Sequence, residues 1–289
     1  MRSERWVLAV VAALAVGAAG LADAREVHRC GITIKRGQTG RLSDDVQCGW
    51  HCGSDPTVRC VVDTPGDDPR CPLSEIDSCV PDVITLENNA TLDLNGFTLT
   101  TVYGETGIVC SEGPGKCTIE GPGTVLGGKS ATPILPRDKN LVLRDLTIRR
   151  FYRVIRTTGT VRATNVALAH CEGGLLGEKG LRATNASLES QCSMHSGRDL
   201  MVDGASSQGW LGAERNARLK NVSSTYVGGK NVFLSNSVAE ARFDAPGRVV
   251  LRGSTVGEFE SGLPPKVVNS TCTRSFKPDD STWGVCTDD

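Results

Sequence analysis

From about residue 83 onward the chain repeats one short pattern: a run of alternating Val, Ile and Leu, then an Asn, Asp or Gly, then a second alternating run. It is visible in Leu141-Val142-Leu143-Arg144-Asp145-Leu146-Thr147-Ile148 and in Val161-Arg162-Ala163-Thr164-Asn165-Val166-Ala167-Leu168. Leu181-Arg182-Ala183-Thr184-Asn185-Ala186-Ser187-Leu188 repeats the latter almost unchanged. The pivots Asn95, Gly121, Asp145, Asn165, Asn185, Gly204, Asn221, Asn236, Gly253 and Asn269 follow one another at about 15 to 26 residues, close to 20 in the middle. Such a period implies one supersecondary unit stacked along an axis. Two short strands with their turns fill a coil of this length. Helical patterning is scarce, which excludes an α-solenoid and an alternating β/α fold.

The pivots have a mechanical reason. A sharp bend between two strands of one coil needs a left-handed backbone residue, which Gly adopts freely and Asn or Asp tolerates better than other side chains. Stacked coils then bring the Asn amides one above another at the strand spacing, where they can hydrogen-bond as a ladder. Inward positions are expected at Leu141, Leu143, Val161, Val166, Leu168, Leu181, Leu188, Leu219, Val222, Val232, Leu234, Val249, Leu251 and Val267. Cys171 and Cys192 follow Asn165 and Asn185 by six and seven residues. Strands about 4.8 Å apart would bring them within bridging range.

All twelve cysteines follow residue 29, an even number that fits an oxidising compartment. At the amino terminus, Arg2 and Arg5 precede an apolar run from Trp6 to Ala19, and Ala22-Asp23-Ala24 offers small residues for signal peptidase. A removable leader over 1–24 and a secreted or periplasmic destination are expected; the run is short for a membrane span and has no polar face. Six cysteines, Cys30, Cys48, Cys52, Cys60, Cys71 and Cys79, crowd into a segment rich in Asp, Pro and Gly that can bury little apolar surface, so bridges would compensate for a thin core. A zinc site built from Cys48, His51, Cys52 and Cys60 is the alternative use of the same residues. Cys110 and Cys117 flank a Gly-Pro-Gly turn, and Cys272 with Cys286 would close the carboxyl-terminal tail. Four segments result: leader 1–24, Cys-rich cap and first coil 25–82, β-helix 83–271, and bridged tail 272–289. Trp283, in that tail, is expected to plug the open end of the core.

At these residues the chain resembles a right-handed parallel β-helix protein of the pectin-lyase-like superfamily. Leu92-Asp93-Leu94-Asn95-Gly96 is the most recognisable part, and the likeness covers roughly 83–271. The resemblance implies an all-β fold, a right-handed parallel β-helix with a disulfide-rich amino-terminal cap. It specifies fold better than function, because the superfamily includes lyases, hydrolases, epimerases and adhesins. Calcium enters only as a cofactor that such relatives use; the sequence shows no acidic cluster for it.

Net charge is -1, from 32 Lys plus Arg against 33 Asp plus Glu, which gives no global reason to expect nucleic acid or membrane insertion. A hydrolase of this fold would need converging carboxylates. Between Gly121 and His170 the only acids are Asp138 and Asp145, the latter a pivot. Residues 137–162 hold eight bases, Arg137, Lys139, Arg144, Arg149, Arg150, Arg153, Arg156 and Arg162, which could form a face for anionic polysaccharide, although such a run is more often a solvated face whose partners lie on neighbouring coils. A lyase needs a base and a cation beside the substrate acid. Counting from the pivots stacks Arg150 beside His170, with Glu172, Lys179 and His195 on following loops, and these five are the candidate catalytic set. The expected role is carbohydrate-associated, binding or cleaving an anionic polysaccharide by β-elimination. The alternative is a non-catalytic structural or adhesive surface protein. Asn89, Asn185, Asn221 and Asn269 begin Asn-x-Ser/Thr triplets, three of them at pivots.

Overall fold

The computed structural model describes residues 24–51, 59–60, 80–101, 106–128 and 131–286. Residues 1–23 of the expected leader and Cys52, Cys71 and Cys79 lie outside the described residues. Every regular element among those described is a β-strand, and the strands wind as a parallel β-solenoid of about nine turns. No helix of the described residues is long and apolar enough to cross a membrane.

Each coil contributes strands to three faces. The first face stacks Thr39–Leu42, Thr91–Asp93, Lys116–Glu120 and the opening halves of Asn140–Phe151, Thr160–Cys171 and Gly180–Leu188, and it ends on Val249–Arg252 and Lys266–Val268. The second begins with Val46–Cys48 against Thr98–Thr101 and continues through residues 146–149, 166–169, 186–188 and 205–207. The third stacks Ile32–Ile34, Ile84–Leu86 and Ile108–Cys110 at one end, then Ile155–Thr157, Gly174–Gly177, Ser193–Ser196 and residues 210–213. The first coil, residues 32–48, therefore stacks directly on the coil of 84–101. The chain between them makes an excursion that includes a small antiparallel sheet of Trp50–His51, Arg59–Cys60 and Val80–Pro81.

Alternation along the strands fills the interior. All fourteen inward residues named from the sequence are at most 3% exposed. Leu143, for instance, lies between Ile119 and Ala163 of the neighbouring rungs. Burying each such aliphatic side chain stabilises the stack by about 1.5–3 kcal/mol.

The bend between first and second faces is left-handed at Asn95, Asp145, Asn165, Asn185, Gly204, Asn221, Asn236, Gly253 and Asn269, with φ from 46° to 70°. Gly121 is the exception among the pivots. It is not left-handed; a Cβ there would collide with the carbonyl oxygen of Asp145, so close approach of backbones is what requires glycine. The ladder forms across three consecutive pivots, a carboxylate followed by two amides: Asn165 Nδ2 donates to Asp145 Oδ1 and Asn185 Nδ2 to Asn165 Oδ1, the latter at 3.1 Å. Gly204 interrupts it. A second ladder, not anticipated, runs at the start of the first face, from Asn231 to Asn216 at 3.0 Å and from Asn216 to Asp199 at 2.6 Å. A third is internal: the buried Ser237, Ser254 and Ser270 hydroxyls accept the backbone N–H of Val222, Ser237 and Ser254, at 3.0 to 3.2 Å.

Four bridges are described. Cys171–Cys192 joins successive rungs as expected, Cys110–Cys117 closes its turn, Cys272–Cys286 pins the tail and Cys30–Cys48 spans the first coil. The last bond takes Cys48 out of the alternative zinc set. Stable bridges suit an oxidising extracellular or periplasmic environment. Trp283 differs from its expected role as a buried plug. It stays 36% exposed, donating from Nε1 to the Ser261 carbonyl at 3.0 Å while Lys277 Nζ sits 4.7 Å over its ring. The strand that carries it, Thr282–Gly284, pairs antiparallel with Thr271–Phe276, so backbone pairing rather than a buried indole closes the tail onto the stack.

Candidate functional site

Residues that alternate with the buried positions of the first face point outward, and register aligns them in two columns. One runs Val142, Arg162, Arg182, Met201; the other runs Asp93, Glu120, Arg144, Thr164, Thr184, Asp203. Near the amino-terminal end the second column is balanced, because each acid has a cation on the adjacent rung: Arg41 is bonded to Asp93 at 2.8 Å and Arg144 stands 3.9 Å from Glu120. The middle of the face behaves differently. Arg162 and Arg182 are direct register partners, flanked by Val142, Met201, Thr164 and Thr184, and no carboxylate separates them. Like charges opposite one another on adjacent strands destabilise a sheet, and neither guanidinium makes an ion pair among the described residues.

Two adjoining clefts meet at Arg182. The first, about 440 Å³, is lined by Lys116, Arg144, Arg162 and Arg182 together with Thr160, Thr164 and Thr184. The second, about 600 Å³, contains Arg182 again with Arg218, Lys220, Arg248, Arg252 and Lys266. With Arg182 common to both, nine cations line the two clefts against a single carboxylate, Asp203. Of the nine, Arg144 and Lys220 stand within ion-pair distance of a carboxylate, Lys220 at 3.4 Å from Asp203. Arg218 lies 5.4 Å over the Phe233 ring, which orients its plane without neutralising it. Guanidinium forks beside threonine hydroxyls suit carboxylate or sulfate oxygens.

The sequence-derived set is placed elsewhere. Arg150 and His170 do stack, occupying equivalent positions between paired neighbours, but both are left-handed corner residues, with φ of 56° and 50°, between second and third faces. His170 accordingly has a local partner: its backbone N–H donates to Glu189 Oε2 at 2.9 Å, and its Nδ1 lies 3.2 Å from the same oxygen. Glu172 follows in the same turn, exposed. Lys179 sits at the other end of Gly174–Gly177, and that strand alone puts roughly 10 Å between the two turns. His195 faces outward from Ser193–Ser196, half-buried, beside Leu176 and Gly212. The five thus border the third face, with Arg150, His170 and Glu172 at one edge, His195 along it and Lys179 at the far edge. The structure brings the first pair together and does not join it to Lys179 or His195.

The eight bases of 137–162 are distributed around the coil. Arg137, Arg144 and Arg156 pair with Glu112, Glu120 and Glu178. Lys139 is fully buried, donating to the carbonyls of Glu112 and Gly113 at 3.4 and 3.2 Å, and burial holds its ammonium below the ordinary lysine value. It secures the loop closed by Cys110–Cys117 and faces no solvent. Only Arg144 and Arg162 of the eight reach the basic face.

Among the described residues no three His, Cys, Asp or Glu gather as a metal site. No family model, curated protein or solved structure matches the chain.

Proposed function

We propose that this protein is exported and binds an acidic polysaccharide along the first face of its solenoid, the polymer lying across successive rungs. The observation that carries the reading is the Arg162–Arg182 stack, set among nine cations and one carboxylate. Repulsion between those guanidiniums is relieved when a carboxylate or sulfate bridges them, so the face is arranged for an anion supplied from outside. A polymer fits better than a small ion because equivalent positions recur at about 4.8 Å along the stack. Polysaccharide is favoured over nucleic acid by the disulfide-bonded compartment. The cations and hydroxyls of this face hold anions, and the reading is one of binding rather than cleavage.

The test is retention on immobilised polygalacturonate, alginate and heparin as salt is raised, with a DNA resin as a further arm. Native protein is expected to elute from at least one acidic glycan at substantially higher salt than an Arg162→Ala, Arg182→Ala double variant. Equal elution of the two proteins would refute this reading, and preferential retention on DNA would replace it. A rise in absorbance in the unsaturated-uronate band during incubation would convert binding into lyase activity.

A further inference from the structure

The third face carries a second groove whose chemistry is unlike that of the first. It has a volume of about 590 Å³ and is floored by Trp210 and Tyr226, which remain 56% and 52% exposed. The indole is seated on glycine. A Cβ on Gly212 would collide with indole Nε1 and stand 2.8 Å from His195 Nδ1, and one on Gly228 would meet the same ring at 3.5 Å. Gly212 thus leaves room for the ring to lie along the sheet, with its polar edge beside His195, while Gly228 of the next coil lies within ordinary contact distance of the ring. Gly212 lies in the extended strand Asp199–Ser235 and is not left-handed, so the space rather than the backbone conformation is what needs glycine.

The rim is polar and balanced in charge. Glu214 and Asp244 stand against Lys230 and Arg242, and Arg242 is 3.9 Å from Asp244 and 3.6 Å from Glu260. A groove without net charge matches an uncharged ligand, in contrast to the arginine face. From these features we infer that the Trp210–Tyr226 groove binds a neutral pyranosyl oligosaccharide, one sugar ring laying its C–H face on the indole while its hydroxyls bond the His195, Glu214 and Asp244 side chains. An exposed aromatic plane with polar groups at its edge satisfies both halves of a sugar's surface. The inference does not depend on the reading of the first face.

The experiment titrates full-length protein with cellohexaose, galactotetraose and chitohexaose, following tryptophan fluorescence and heat of binding. At least one sugar is expected to bind with a Kd on the order of millimolar or tighter. Trp210→Ala should weaken it at least about tenfold. Gly212→Ala, which keeps the indole but lifts it from its seat, should do likewise, and both variants should elute from acidic-glycan resin as the native protein does. Absence of binding to all three sugars, or unchanged binding by Trp210→Ala, would overturn the inference. Concentration-dependent dimerisation abolished by Trp210→Ala, in place of sugar binding, would assign the groove to a second copy of the chain.

Discussion

Replacing Asn185 separates the two tasks that a pivot performs. This residue holds φ at 52° and donates from Nδ2 to Asn165 Oδ1 at 3.1 Å. Alanine loses both the tolerance of the left-handed region, worth about 1 kcal/mol or more, and an exposed hydrogen bond worth about 0.5–1 kcal/mol. Asn185→Ala should therefore destabilise by about 2 kcal/mol. Glycine accepts the conformation and loses only the bond, at some cost in unfolded-chain freedom, so Asn185→Gly should cost about 1 kcal/mol. Asn185→Asp should be as harmful as Ala at neutral pH, because a carboxylate oxygen would face the Asn165 oxygen, and should recover in acid once protonation restores a donor. Urea unfolding followed by circular dichroism, with the slope of the transition unchanged, measures all three. Ala no worse than Gly, or Asp without penalty at neutral pH, would refute the argument that both bend and ladder matter here.

Three further perturbations probe the stack. Leu143→Ala, emptying a fully buried site beside Ala163, should cost about 3 kcal/mol, while the adjacent outward Arg144→Ala should stay within about 0.5 kcal/mol; thermal unfolding distinguishes them. Replacing Cys171 and Cys192 together by Ser opens a link of sequence separation 21 and should lower stability by about 3 kcal/mol in the same assay. Glu87 is held below its ordinary value of 4.5 by hydrogen bonds from the Lys35 side chain and the Arg36 backbone. A depressed folded-state carboxylate stabilises above its unfolded pKa and loses that contribution as pH falls through the folded one. The stability gap between native protein and Glu87→Gln should accordingly shrink on acidification below 4.5, which a pH series of unfolding curves reads directly.

The fold was legible because period and alternation are local: Leu141, Val161 and Leu181 recur at the same place before each pivot, and the structure stacks them as register partners. Gly121 fitted the spacing but serves a different constraint, close approach to Asp145, which no sequence interval expresses. The candidate site was less legible because charge that is clustered along the chain need not share a face of the coil. The window 137–162 crosses all three faces, so its eight bases disperse once the coil closes. Arg162 and Arg182, by contrast, stand between inward residues of two nearly identical repeats, and that outward alignment was readable in the aligned copies. Arg150 and His170 were correctly stacked, yet their shared interval from the pivot reflects a second corner of the coil. Trp210 carried no comparable signal. Its setting depends on His195, a residue of the preceding coil that only folding brings beside the polar edge of the ring.

Arginine footprinting with phenylglyoxal, in the presence and absence of polygalacturonate, alginate or heparin, tests the central claim most directly. Binding on the first face predicts protection of Arg162, Arg182, Arg218 and Arg252, with Arg150 and Arg153 modified as fast as in the free protein. Protection of Arg150 and Arg153 while the first-face arginines stay reactive would contradict the account and return the site to the corner of the coil.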